Sequence, residues 1–211
     1  DAFPTKRVFK QSKYSQRVYK FLPGSGTLRS YLYFLYWFTF HNLMAQTYFR
    51  FRNKTYDDIN HTRCTVELLL QFAVVCAYGW LLGAENIVWG LIIPVIIMNY
   101  TLMSYISTNH NFMPLVREND PLRSSLTVTN HPILEFLHMN FGYHTEHHLM
   151  PKMCMSKAKI LHRVLKEKFP DDLKVMSKGE ALKKLYSTPR IYKNRTTLVD
   201  PYTGREEPTY S

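Results

Sequence analysis

All 27 lysines and arginines of this 211-residue chain lie at or before Arg63 or at or after Arg117. The window between, Cys64 to Val116, holds two charged residues, Glu67 and Glu85. They bracket a 17-residue uncharged run from Leu68 to Ala84, and a second uncharged run follows from Asn86 to Val116. At about 1.5 Å per residue the first run reaches roughly 26 Å and the second exceeds the roughly 30 Å hydrocarbon core of a bilayer. Stretches such as LLLQFAVVCAYGWLL and NIVWGLIIPVIIMNYTLM show little of the polar face that a helix on a soluble surface needs. The window therefore predicts transmembrane helices at 66–84 and 86–106, joined as a hairpin. The alternative is a buried helical hairpin of a soluble protein.

The turn Gly83-Ala84-Glu85-Asn86 carries no basic residue, whereas 11 precede the window and 16 follow it. The excess of positive charge on both flanks predicts that both chain ends are cytoplasmic. A net charge of +11 with 45% hydrophobic residues would otherwise suggest a basic soluble protein. With the charge segregated around apolar runs, the expected partner is a membrane and not nucleic acid. Cys64, Cys76 and Cys154 are too few and too scattered for a disulfide framework or a four-thiolate metal site. No cleavable signal is visible, and the sequence opens at Asp1 inside a polar basic stretch.

Residues 1–29 read as a cytoplasmic loop, with a turn at Pro23-Gly24-Ser25-Gly26. Nine of the 19 residues from Tyr31 to Phe49 are aromatic, a density that suits the membrane interface. A third span there would place the two basic flanks on opposite sides, so 30–49 is expected to be an interfacial or re-entrant helix. Residues 107–186 are expected to form a cytoplasmic, histidine-rich helical cap. In it, 117–130 reads as a polar loop and Pro132 as a helix start. The stretch 156–169, SKAKILHRVLKEKF, sets Ile160, Leu161, Val164, Leu165 and Phe169 against basic residues, a pattern for a helix on an anionic membrane surface or packed on the cap. Residues 187–211, with Pro189, Pro201 and Pro208, read as an extended tail. The fold class expected is all-α integral membrane.

Five of the nine histidines fall between His131 and His148, and three form the run His144-Thr145-Glu146-His147-His148. On a helix, His147 lies about 60° to one side of His144 and His148 about 40° to the other, so three imidazoles share one face. Neutral imidazole suits iron, copper and zinc alike, while a shell without thiolates and poor in carboxylates excludes magnesium and calcium. Zinc-protease signatures are absent, since His144 is followed by Thr145 and neither HExxH nor HxxEH occurs. A zinc deaminase would need a downstream Pro-Cys-x-x-Cys, and only Pro151 and a lone Cys154 follow. Asn109, Asp120, His138, Asn140 and Glu146 are candidates to fix imidazole tautomers. In a helix unbroken through Gly142, His131, Glu135 and His138 would lie on the opposite face and stabilise the cap.

Residues 141–151, FGYHTEHHLMP, resemble the third histidine box of membrane fatty acid desaturases, and 104–115, SYISTNHNFMPL, is similar to the segment that carries the family's extra histidine after its last transmembrane helix. The likeness is loose before residue 100 and tight from there to about residue 170. It implies a helical membrane bundle whose cap holds two iron ions, with His144, His147 and His148 as third-box ligands and His110 as the extra ligand. It also implies oxygen-dependent desaturation of the acyl chain of a lipid or thioester, with O2 as oxidant and electrons from a donor of ferredoxin or cytochrome b5 type. Front-end desaturases typically begin this box with Gln, so His144 argues against that subgroup. The alternatives are a hydroxylase or carotenoid ketolase of the same histidine-box group, or a non-catalytic metal-binding membrane protein. One departure is large: only His41 and His61 precede His110, so the first two boxes are missing. The chain is thus expected to be a C-terminal part of such an enzyme, with four of the ligands that two irons need.

Overall fold

The computed structural model describes Phe9 and residues 13–52, 57–118 and 120–210. It is mostly helical. The helices are α1 (Lys13–Tyr19), α2 (Tyr33–Thr47), α3 (His61–Leu82), α4 (Ile93–His110), α5 (Pro121–Ser124), α6 (Pro132–Leu137), α7 (His144–Leu149), α8 (Ala158–Lys168) and α9 (Lys178–Ser187). Two small sheets join them, a parallel pair of β1 (Thr127–Thr129) with β2 (Val175–Ser177) and an antiparallel sheet of β3 (Ile191–Tyr192), β4 (Thr197–Val199) and β5 (Glu206–Pro208). The described residues fall into two compact units, one within 34–103 and one within 1–33 and 104–211.

The first unit carries α3 and most of α4. His61–Leu82 and Val88–His110 are long and apolar enough to cross a membrane. Helix α3 begins five residues before the predicted span because its first turn has its own supports: the Asn60 side chain accepts from the Arg63 amide at 2.9 Å, and Arg63 pairs with Glu67 at 2.7 Å. None of its 22 residues is buried. Gly83, at φ 72°, ends it in a backbone region open to glycine. The chain re-enters helix through a π turn at Val88–Ile92. Pro94 has no amide to give to the Gly90 carbonyl, and the Tyr78 hydroxyl donates to that carbonyl instead, at 3.3 Å. Inside the unit two buried polar side chains find partners within it. Buried Asn99 donates to Thr39 Oγ1 (2.7 Å) and the Val95 carbonyl (2.8 Å) and accepts from the Thr39 amide (2.8 Å). Buried Arg50 donates to the His61 carbonyl (3.2 Å) and Thr65 Oγ1 (2.7 Å). Residues 30–49 are helical, as a 3-10 turn at Leu28–Leu32 followed by α2.

The second unit has a core of ordinary kind, with Phe112, Leu126, Val128, Ala158, Leu165, Ala181, Leu185, Leu198 and Val199 buried. Two regions differ from expectation. The polar loop at 117–130 contains α5, capped by Asp120 and opened by Pro121, and β1. The C-terminal residues are extended, as read, but paired: they form the β3–β4–β5 sheet and brace the segment after His110. Tyr192 donates to the Met113 carbonyl (2.7 Å), the Tyr210 amide to Phe112 (2.8 Å), and fully buried Arg190 to the Asn111 carbonyl (3.2 Å).

Candidate metal centre

The histidine box is aimed by a broken helix and not by a continuous one. Helix α6 stops at Leu137, and Met139 (φ 51°) and Asn140 (φ 58°) take left-handed backbone before α7 starts at His144. Asn accepts that conformation readily; Met there is an uncommon choice that the surrounding contacts enforce. His131, Glu135 and His138 therefore do not share an unbroken helix with the box. His131 stands at the N-cap of α6, Glu135 turns into the unit, and His138 Nδ1 meets the Tyr105 hydroxyl at 2.9 Å.

One strand ties the ligand-bearing segments together. The Leu126 amide donates to the Asn109 carbonyl (3.0 Å) and the Val128 amide to the Gly142 carbonyl (2.9 Å), while Thr127 between them donates to Lys174 on the β2 side (3.0 Å). The residue before His110 and the residue two before His144 thus hang on the same three-residue stretch. Gly142 has to be glycine, because a Cβ there would lie 2.0 Å from the Val128 carbonyl oxygen.

The result is a triangle of imidazole nitrogens. His144 Nε2 lies 2.7 Å from His110 Nε2 and 3.0 Å from His148 Nε2, and the third side is 3.4 Å. A metal ion about 2.1 Å from each nitrogen has ligand atoms about 3.0 Å apart at right angles and about 3.4 Å apart at the tetrahedral angle, so the observed spacing is that of three ligands on one ion. Burial, and then the neighbouring His110, His148 and His147 rings, push the His144 imidazole down to about 2. Burial and the His147 ring also lower His148. The rings are thereby held neutral, the form in which imidazole donates to a metal. His147 does not converge on the triangle. Its ring centroid is 6.1 Å from that of His144 and 5.9 Å from that of His148.

Of the residues expected to orient these rings, Asp120, Asn140 and Glu146 make their hydrogen bonds elsewhere. Asp120 caps α5 at the Leu122 amide (3.2 Å) and pairs with Arg123 (3.5 Å). Asn140 donates to the Met155 carbonyl (3.3 Å). Glu146, fully buried, accepts from Thr127 Oγ1 (2.6 Å) and meets His162 Nδ1 (2.6 Å), so it locks α7 to β1 and α8. Asn109 is fully buried, and neither atom of its amide group has a partner among the described residues. A residue that the sequence does not single out is His162 of α8, which reaches Glu146 through tertiary pairing.

The chain belongs to the fatty acid desaturase family, whose model matches residues 5–179. The matched region contains both apolar helices and all of the imidazole triangle. No curated protein sequence matches the chain. Membership makes this an oxidoreductase-type, membrane-associated protein with a histidine cluster able to hold a metal.

Proposed function

We propose that the chain carries part of the di-iron site of an oxygen-dependent fatty acyl desaturase. The convergence of the His110, His144 and His148 Nε2 atoms, at 2.7–3.4 Å, is the observation that carries this reading. Those three imidazoles would hold one iron. His147, on the same short helix but turned aside, would be a ligand of the second. Bound iron supplies the activation of O2 that lets two hydrogens leave adjacent carbons of an acyl chain as water, with electrons from a ferredoxin or cytochrome b5 type donor.

The protein's own part is placement. Burial keeps His144 unprotonated, so its lone pair is available at any physiological pH. The stretch Leu126–Val128 ties the His110 and His144 backbones together. Two apolar helices next in sequence to these ligands suit a substrate whose reacting carbons lie in hydrocarbon, an acyl lipid or acyl thioester in the bilayer. Both flanks of the apolar window are basic and face the cytoplasm in this reading.

The test is replacement of each histidine in the membrane-expressed protein, with its upstream sequence where the natural chain has one, reading metal content and acyl products by mass spectrometry. His110→Ala, His144→Ala and His148→Ala each lose iron and all new double bonds while the protein stays in the membrane. His147→Ala lowers the iron stoichiometry and abolishes product. Full desaturation by any of these variants would remove that residue from the ligand set. Hydroxylated products would transfer the chain to the oxygenase branch, and bound zinc with unchanged lipids would make it a non-catalytic binder.

A further inference from the structure

Helix α6 is built inside out. Its one charged side chain, Glu135, is 8% exposed and turned inward, where it meets Lys159 Nζ at 2.7 Å, the Asn130 amide at 3.2 Å and the Tyr143 hydroxyl at 3.3 Å. Its large apolar side chains point out: Ile133 is 62% exposed, Leu134 42%, Phe136 79% and Leu137 63%, followed by Met139 at 77%. The carboxylate is compensated by these partners, but in water the exposed hydrocarbon is unfavourable. A contiguous apolar patch of this kind marks a surface that something apolar covers.

The packing of α6 shows what that is. The turn that follows it is clamped to Tyr105, through His138 Nδ1 at 2.9 Å and the Phe141 ring at a centroid distance of 5.6 Å, and Asn130 Nδ2 donates to the Tyr105 hydroxyl at 2.6 Å. Tyr105 belongs to α4, and the helix runs on to His110. Five residues of helix are about 7.5 Å, so α6 lies beside the last turns of an apolar helix, at the level where such a helix passes from hydrocarbon to headgroups. Lys159 keeps 45% of its side chain exposed at the rim of the patch, where a lysine meets anionic headgroups.

We propose that α6 and Met139 are a lipid-immersed foot, with Ile133, Phe136, Leu137 and Met139 seated in the interfacial layer of the bilayer that α4 crosses. The inference rests on reading Val88–His110 as a span. It gives the left-handed turn at Met139 and Asn140 a purpose: the foot and the box are joined by it and by Gly142, so the depth of the foot sets the height of His144 above the membrane.

The test uses single cysteines in a chain whose Cys64, Cys76 and Cys154 are serine. Ile133→Cys, Phe136→Cys and Leu137→Cys are labelled with a nitroxide, next to Ile97→Cys in the span and Thr203→Cys on an exposed turn. The proteins are placed in vesicles of phosphatidylcholine and phosphatidylglycerol, and collision with O2 and with a water-soluble nickel chelate is measured by electron paramagnetic resonance. The foot predicts a several-fold loss of nickel collisions and a gain of O2 collisions at all three α6 positions relative to position 203. Water-like collision at all three, with the position 97 label in lipid, overturns the foot and leaves the span standing. Water-like collision at position 97 as well overturns the span reading and the foot with it. Spin broadening at position 136 that vanishes on dilution with unlabelled protein assigns the patch to a second copy and also overturns the proposal. Because the three α6 positions are exposed and are read separately, one variant that fails to fold leaves the other two decisive.

Discussion

In residues 34–103 polar Asn99 and Arg50 are buried while many large apolar side chains stand outside; in most of the histidine-bearing unit the order is reversed. Asn99 is buried with its amide engaged and Arg50 is buried with both terminal nitrogens engaged in the first, while Leu69, Leu70, Phe72, Trp80 and Trp89 stand out with 60% or more of their surface exposed. In the second, Leu185 and Leu198 are fully buried and the lysines of α8 and α9 are mostly outside. The same physical rule gives both patterns when the solvent changes from water to hydrocarbon, because each side chain faces the medium that suits it. Helix α6 is the place where the second unit adopts the pattern of the first.

The largest effect that would break this contrast lies at Glu146. It is a buried polar group in the water-type unit, and it is tolerated because Thr127 and His162 satisfy it at 2.6 Å each. Glu146→Ala leaves both partners unsatisfied and is expected to cost about 3–5 kcal/mol. Thermal unfolding in detergent measures the loss, and the content of any bound metal falls with it because α7 is no longer held to β1 and α8. A variant as stable as the parent would mean that the network holds nothing together.

How much of this was legible in the sequence follows from the range of the forces involved. The apolar helices were readable because exclusion of charge is a property of the run itself, and the box because its three histidines are neighbours in one short helix. The start of α3 at His61 escaped because a capped and salt-bridged first turn looks polar. The break between α6 and α7 escaped because it depends on Gly142 fitting against Val128 and on Tyr105 gripping the turn, contacts that no local pattern encodes. His162 entered the network of Glu146 through tertiary pairing alone.

A matched pair of leucines sharpens the comparison. Leu198 is fully buried in the second unit and Leu70 is 60% exposed in the first. Leu198→Ala removes packed methyl groups and leaves a cavity, at an expected cost of about 2–5 kcal/mol. Leu70→Ala removes a side chain that faces solvent and is expected to stay within about 0.5 kcal/mol in detergent. Equal destabilisation by the two would show that α3 packs against protein and not against lipid.

The smallest effect concerns Lys178, the residue in the water-type unit that fits its surroundings least. Its ammonium lies 3.3 Å from Thr108 Oγ1 and 3.8 Å from the Tyr105 ring centroid, and burial pushes it down to about 7. The hydroxyl and the ring face offset part of the lost hydration, so Lys178→Met is expected to gain only about 1 kcal/mol at pH 6. The pH dependence identifies the cause. Between about 7 and the ordinary lysine value of 10.5 the unfolded chain holds a proton that the folded chain has released, so the parent becomes more stable as pH rises through that window. Lys178→Met lacks this rise. Its advantage in thermal melts should therefore be greatest at pH 6 and should shrink or reverse at pH 9. An advantage equal at the two pH values would mean that the methionine acts through packing, and that the lysine is as well placed in its unit as the leucines around it.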